Sequence, residues 1–211
     1  MDKESDKLIE ELRNLSTRVS EKLWSIVKNH PDRPHLIFPE YRDNKTRISE
    51  QESKILFSNI LENSEWFYSV ETPTLQTYIQ SGKTPLSART DISLFRNPDP
   101  ASKAVNIELK AHNATAESFR KDLEKLLREQ LDGLWFHTLE NRNKGTLPRI
   151  YEKIQRAFSD LKPHIQGKHR KILFAFCLLR TEELIFKIVT IDGSVDKNIE
   201  LIQQTFDKDT I

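Results

Sequence analysis

Two stretches decide the fold: Ala88-Arg89-Thr90-Asp91-Ile92-Ser93-Leu94-Phe95 and Val105-Asn106-Ile107-Glu108-Leu109-Lys110-Ala111. In each, branched or aromatic residues alternate with polar ones at period two, the pattern of a β-strand with two unlike faces. In the second, Ile107 and Leu109 point one way while Glu108 and Lys110 point the other. The intervening Arg96-Asn97-Pro98-Asp99-Pro100-Ala101-Ser102-Lys103 is rich in turn residues and cannot continue a ladder. A hairpin folded near Asp99 and Pro100 sets Asp91 across from Glu108. Directly opposed residues share a face, with Cβ atoms about 4.5–5.5 Å apart. Two carboxylates so placed repel each other unless a cation compensates. Lys110 brings only one positive charge, and a divalent metal would bring the rest.

An Asp on one strand of a hairpin and Glu-x-Lys on the next, here Asp91, Glu108 and Lys110, resembles the signature of the PD-(D/E)XK nuclease superfamily. That family usually adds a Glu from the helix just before the sheet. The stretch Ile48-Ser49-Glu50-Gln51-Glu52-Ser53-Lys54-Ile55-Leu56-Phe57 supplies such a helix, opened by a capping box of Ser49 and Glu52. The resemblance covers roughly residues 45 to 140. Thr90, in place of the Pro that names the motif, is a departure the family often tolerates. The Gln-x-x-x-Tyr of the recombination-nuclease subgroup is absent.

The resemblance implies a restriction-endonuclease-like α/β fold, a mixed central sheet flanked by helices. It further implies hydrolysis of phosphodiester bonds, most favourably as a DNA endonuclease in restriction, phage defence or repair. Asp91, Glu108 and the backbone carbonyl of Leu109 would bind Mg²⁺ or Mn²⁺, hard ions that carboxylate oxygens suit. Lys110 would orient or help deprotonate the attacking water and offset charge on the phosphate. Glu52, preferred over Glu50 because it shares a side with Ile48, Ile55, Leu56 and Asn59, would complete the site. Arg89, His112, Arg142 and Lys144 are candidate nucleic-acid contacts, with Lys168, Arg170 and Lys171 as further basic positions. A catalytically silent nuclease-fold protein serving as a binding or assembly subunit is the alternative. Without the metal, the same residues read as a polar strand face carrying a solvated salt bridge.

The remaining chain agrees with an α/β class. With 211 residues it suffices for one core, and a net charge of +1 leaves nucleic-acid binding to local patches. Its one cysteine, Cys177, excludes an internal disulfide and a Cys-rich zinc site. No apolar run approaches the ~18 residues of a membrane span, and the charged N-terminus is unlike a signal peptide, which predicts a soluble cytoplasmic protein.

Residues 3–29 predict an amphipathic helix for packing or for homodimer formation, and His30-Pro31-Asp32-Arg33-Pro34 ends it. The division expected is an N-terminal helix and linker over 1–44 and a nuclease-like core over 45–211. A first strand is predicted over 66–72, ended by Pro73; its Glu71 could face the site's cavity, with a local contact near the turn the preferred reading. Ser81-Gly82-Lys83-Thr84 lacks the first Gly and the following helix of a phosphate-binding loop and reads as a turn. Helices are predicted over 116–131 and 147–161, with Gly133 ending the first. Strands are predicted over 134–139, 171–179 and 184–191, the first joined to the hairpin by a parallel crossover. Residues 172–179 form a continuous apolar run, as in a strand buried on both faces, which makes Cys177 a core thiol. His137 is read as an ordinary strand residue.

Overall fold

The computed structural model describes residues 3–40, 48–81, 84–141 and 146–207. These form six strands and five helices: α1 Lys3–Val27, α2 Glu50–Leu61, β1 Phe67–Ser81, β2 Thr84–Phe95, β3 Lys103–Ala111, α3 Ala116–Arg128, β4 Asp132–Leu139, α4 Thr146–Asp160, β5 Arg170–Leu178, β6 Glu183–Ile191 and α5 Val195–Thr205. The strands form a single mixed sheet in chain order, β1 through β6. The pairs β1–β2, β2–β3 and β5–β6 are antiparallel, while β3–β4 and β4–β5 are parallel. Each parallel pair is joined by a crossover helix, α3 and then α4, as parallel neighbours require.

The alternation in β2 and β3 sorts their side chains between two helical layers. Ile92, Leu94, Val105, Ile107 and Leu109 pack in one core with α1 and α2. The opposite face of β4 and β5, with Trp135, Phe174 and Phe176, packs with α3, α4 and α5. β5 is buried along nearly its whole length, and Cys177 is wholly buried with its thiol pushed up to about 12 by that burial. The stripe of α1, including Leu12, Val19 and Leu23, joins the core shared by α2 and the sheet. That apolar face is therefore covered within the chain. No described helix is long and apolar enough to cross a membrane.

Four local expectations are corrected. Pro73 does not end the first strand: β1 continues to Ser81, with Pro73 opposite Arg89 and register shifts beyond it. β1 lies at the edge of the sheet, where a missing N–H interrupts no ladder. Gly133 does not end α3, which stops at Arg128, and lies inside β4 between Asn106 and Ile172. A Cβ there would meet Leu126 Cδ2 at 3.1 Å, so its missing side chain lets α3 approach the sheet; Gln130, at φ 57°, makes the left-handed turn instead. The strands predicted over 171–179 and 184–191 are followed by an unpredicted helix, α5. Ser194 caps it, Ile202 and Phe206 bury its inner side, and the sparse apolar spacing hid it. Finally, Arg170 is no surface phosphate contact. Only 1% exposed, its guanidinium donates to the carbonyls of Leu127, His164, Gln166 and Lys168.

Candidate active site

β2 and β3 pair in the register read from the sequence, with Ile92 opposite Ile107 and Ser93 opposite Asn106. One residue further, that register sets Asp91 across from Glu108. Beyond that point Asp91 does more than face its neighbour. Its Oδ2 accepts the Leu109 N–H at 2.8 Å, which fixes the carboxylate against β3. Its Oδ1 faces Lys54 Nζ of α2 at 2.9 Å. The same ammonium lies 2.5 Å from Glu71 on β1, a residue in the left-handed region at φ 52°.

Glu108 turns to the other layer. It is fully buried, and its Oε2 accepts from Lys125 Nζ of α3 at 2.5 Å. Lys125 also reaches Asp122 at 2.7 Å and donates to the Arg89 carbonyl at 3.0 Å. The other oxygen of Glu108, Oε1, has no hydrogen-bond partner among the described residues. Burial raises the Glu108 pKa well above the usual carboxylate range; Lys125 opposes this, while Asp122 and Asp91 add to it. Lys110 ion-pairs with Asp122 and lies 3.1 Å from Glu50 at the start of α2. Burial alone would lower the Lys110 pKa, but those two carboxylates outweigh it and raise it, so the side chain is a firmly protonated ammonium.

Asp91, Glu108 and Lys110 thus lie at one end of the β2–β3 pair, each held by its own partner, with Lys110 reaching the N-terminus of α2. Of the two helix carboxylates, Glu50 reaches this cluster. Glu52 instead closes the capping box, accepting from Ser49 N at 3.0 Å and Ser49 Oγ at 2.5 Å. The inward side of α2 is Glu52, Ser53, Leu56, Phe57, Ile60 and Leu61, so Glu52 does face inward as read, although Ile55 is exposed; the capping box, not the rotation of the helix, keeps its carboxylate from the cluster.

His112 sits just past β3 with a left-handed backbone, and its carbonyl contacts His137 Nε2 at 2.5 Å. His137 lies within β4, as read, and burial pushes its pKa down to about 3, so it stands neutral among the rings of Phe119, Trp135 and Phe176. Arg89 is exposed and, with Arg120, Lys121, Asp122 and Lys125, borders a cleft of about 570 Å³, whose Lys125 ion-pairs with the buried Glu108. Arg142 and Lys144 lie outside the described residues. A larger cleft of about 790 Å³, around Trp66, Phe67 and Phe95, is at the far end of the β2–β3 pair and holds none of these residues.

Sequence reasoning missed Lys54, Asp122 and Lys125. A signal existed for one of them: Asp122 follows the apolar Phe119 by three residues and so lies on the same side of its helix, whereas Lys54 sits beside Glu50, the carboxylate that was not preferred. Together, Glu50, Glu71, Asp91, Glu108 and Asp122 set five carboxylates against the three ammoniums of Lys54, Lys110 and Lys125, a surplus of two negative charges when all are ionised. Hard oxygen donors, that surplus and the unpartnered Glu108 Oε1 fit a divalent cation in type and charge. Among the described residues no three His, Cys, Asp or Glu side chains group as a metal cage. A bound ion would therefore complete its shell with backbone carbonyl, water and substrate oxygens, as Mg²⁺ commonly does.

No protein-family model matches the chain, and no curated protein matches it. Among solved structures, Pyrococcus furiosus SfsA in complex with Ca²⁺ is similar at 14% identity and a TM-score of 0.27, over 64% of this chain and 58% of that one.

Proposed function

We propose that this chain is a divalent-metal-dependent phosphodiesterase of PD-(D/E)XK type, acting on nucleic acid and most favourably as a DNA endonuclease. The observation that carries this reading is the placement of Asp91, Glu108 and Lys110 at one end of β2–β3, with Glu50 from the preceding helix on Lys110. Asp91, Glu108 and the Leu109 carbonyl would hold Mg²⁺ or Mn²⁺. Such an ion polarises a phosphate and lowers the pKa of bound water. The Leu109 N–H keeps Asp91 in place, and Lys125 keeps Glu108 in place. Lys110, held protonated by Asp122 and Glu50, stabilises charge developing on the phosphate rather than removing a proton. Glu50 takes the role first given to Glu52, since its carboxylate lies in the cluster. Arg89 and the neighbouring Arg120 and Lys121 would meet the phosphate backbone along the cleft.

One observation favours a second reading. Lys54 and Lys125 already neutralise Asp91 and Glu108, as in a nuclease-like protein that binds nucleic acid without cutting it. Incubation with supercoiled plasmid, linear duplex, single-stranded DNA and RNA, with Mg²⁺, Mn²⁺ or EDTA, separates the two. Metal-dependent cutting that disappears in Asp91→Ala supports the enzyme and names its substrate. Binding without cutting favours the silent subunit. Cutting that survives Asp91→Ala refutes the site.

A further inference from the structure

We infer that Lys54 is a built-in counter-cation for Asp91, which a divalent ion displaces and which Glu71 then holds. This rests on the metal-dependent reading above. Of the two oxygens of Asp91, Oδ2 is anchored by the Leu109 N–H at 2.8 Å, and that bond does not involve Lys54. Oδ1 is the oxygen that Lys54 covers, at 2.9 Å. Removing the ammonium therefore exposes a donor atom without releasing the carboxylate from β3.

Lys54 has a second seat ready. Glu71 Oε1 lies 2.5 Å from its Nζ, and the Glu71 side chain is half exposed, so it can follow the ammonium outward. Lys125 is placed differently. It is held by Glu108, Asp122 and the Arg89 carbonyl together, and its departure would leave the fully buried Glu108 unpaired. Lys110 is likewise shared between Asp122 and Glu50. Among the three ammoniums of the cluster, Lys54 is the one whose exit strands no buried charge. A lysine suits this role, being a point charge on a flexible four-carbon stem.

The test is Mn²⁺ binding to the full chain by titration calorimetry, independent of cleavage, for wild type, Lys54→Met, Glu71→Gln and the double variant. Circular dichroism confirms that each is folded. Lys54→Met should tighten Mn²⁺ binding about three- to tenfold, the range of a partly screened ion pair. Most of that gain should persist in about 0.5 M NaCl, where a distant loss of positive charge would be screened out. Glu71→Gln should weaken binding about threefold in wild type and hardly at all in the Lys54→Met background, the coupling expected if Glu71 acts by receiving Lys54. Wild-type binding that is unchanged or weakened by Lys54→Met overturns the inference and leaves the metal site standing. Equal effects of Glu71→Gln in both backgrounds overturn the role of Glu71. No Mn²⁺ binding by any folded variant overturns the metal site itself, and this inference with it.

Discussion

Acidification from pH 7 to pH 5 should destabilise the protein through His137, and replacing that residue should remove this part of the pH dependence. The ring is fully buried on β4, with centroid distances of 5.6 Å to Phe119 and 6.0 Å to Phe176, and Nε2 lies 2.5 Å from the His112 carbonyl. Burial pushes its pKa from 6.5 to about 3 in the folded chain. An unfolded chain takes up a proton on this residue below about pH 6.5, while the folded chain refuses it. Stability is therefore complete above 6.5 and falls with pH down to about 3, by about 1.4 kcal/mol per pH unit in the middle of the window. Between pH 7 and pH 5 the loss is about 2 kcal/mol. Glu108 works in the opposite direction: its raised pKa in the folded chain adds stability as the pH falls toward the ordinary carboxylate value. The total curve thus mixes both, and the comparison with a variant isolates the histidine. Urea unfolding of wild type and His137→Phe, followed by tryptophan fluorescence at pH 5, 6 and 7, measures the difference. The wild type should lose about 2 kcal/mol more than His137→Phe across that range. Parallel curves for the two proteins would refute the neutral buried imidazole.

Three further outcomes are expected. Arg170→Leu leaves four backbone carbonyls without their charged donor and should cost about 3–5 kcal/mol by denaturant unfolding; a loss below about 1 kcal/mol would show that water replaces it. Gly133→Ala drives a Cβ to 3.1 Å from Leu126 and should cost about 1–3 kcal/mol in wild type but less in a Leu126→Ala background, which a double-mutant cycle in urea would detect. Glu52→Ala should lower stability by about 1 kcal/mol through loss of the capping box and leave cleavage of a responsive substrate nearly unchanged; Glu50→Gln should reduce cleavage at least tenfold with little change in stability. Thermal melts and plasmid assays on both variants check that pair, and the reverse pattern would return the role to Glu52.

Much of the architecture was legible because its causes are local. Period-two alternation in 88–95 and 105–111 forces one face of each strand inward, and a one-residue slip would expose Ile92, Ile107 and Leu109 together. The register that sets Asp91 across from Glu108 follows from that. A helix between β3 and β4 requires a crossover, and the unbroken apolar run of β5 requires cover on both faces. Ser49 and Glu52, three residues apart, determined where α2 begins.

Tertiary packing decided what neutralises the carboxylates and which of them are available. Residue type and spacing show that Asp91 and Glu108 need positive charge nearby, but not its source. Ammoniums on long stems from α2 and α3 supply it, and which lysines arrive depends on how those helices rotate against the sheet. Capping separates the two carboxylates of the first turn: Glu52 is buried but bonded to Ser49, while Glu50 is left to join Lys110. Pro73 within a strand and Arg170 within the core have the same origin. An edge position excuses a missing N–H, and the distant Leu127 carbonyl joins three carbonyls of the preceding loop to hold a buried guanidinium; neither arrangement exists before the chain packs.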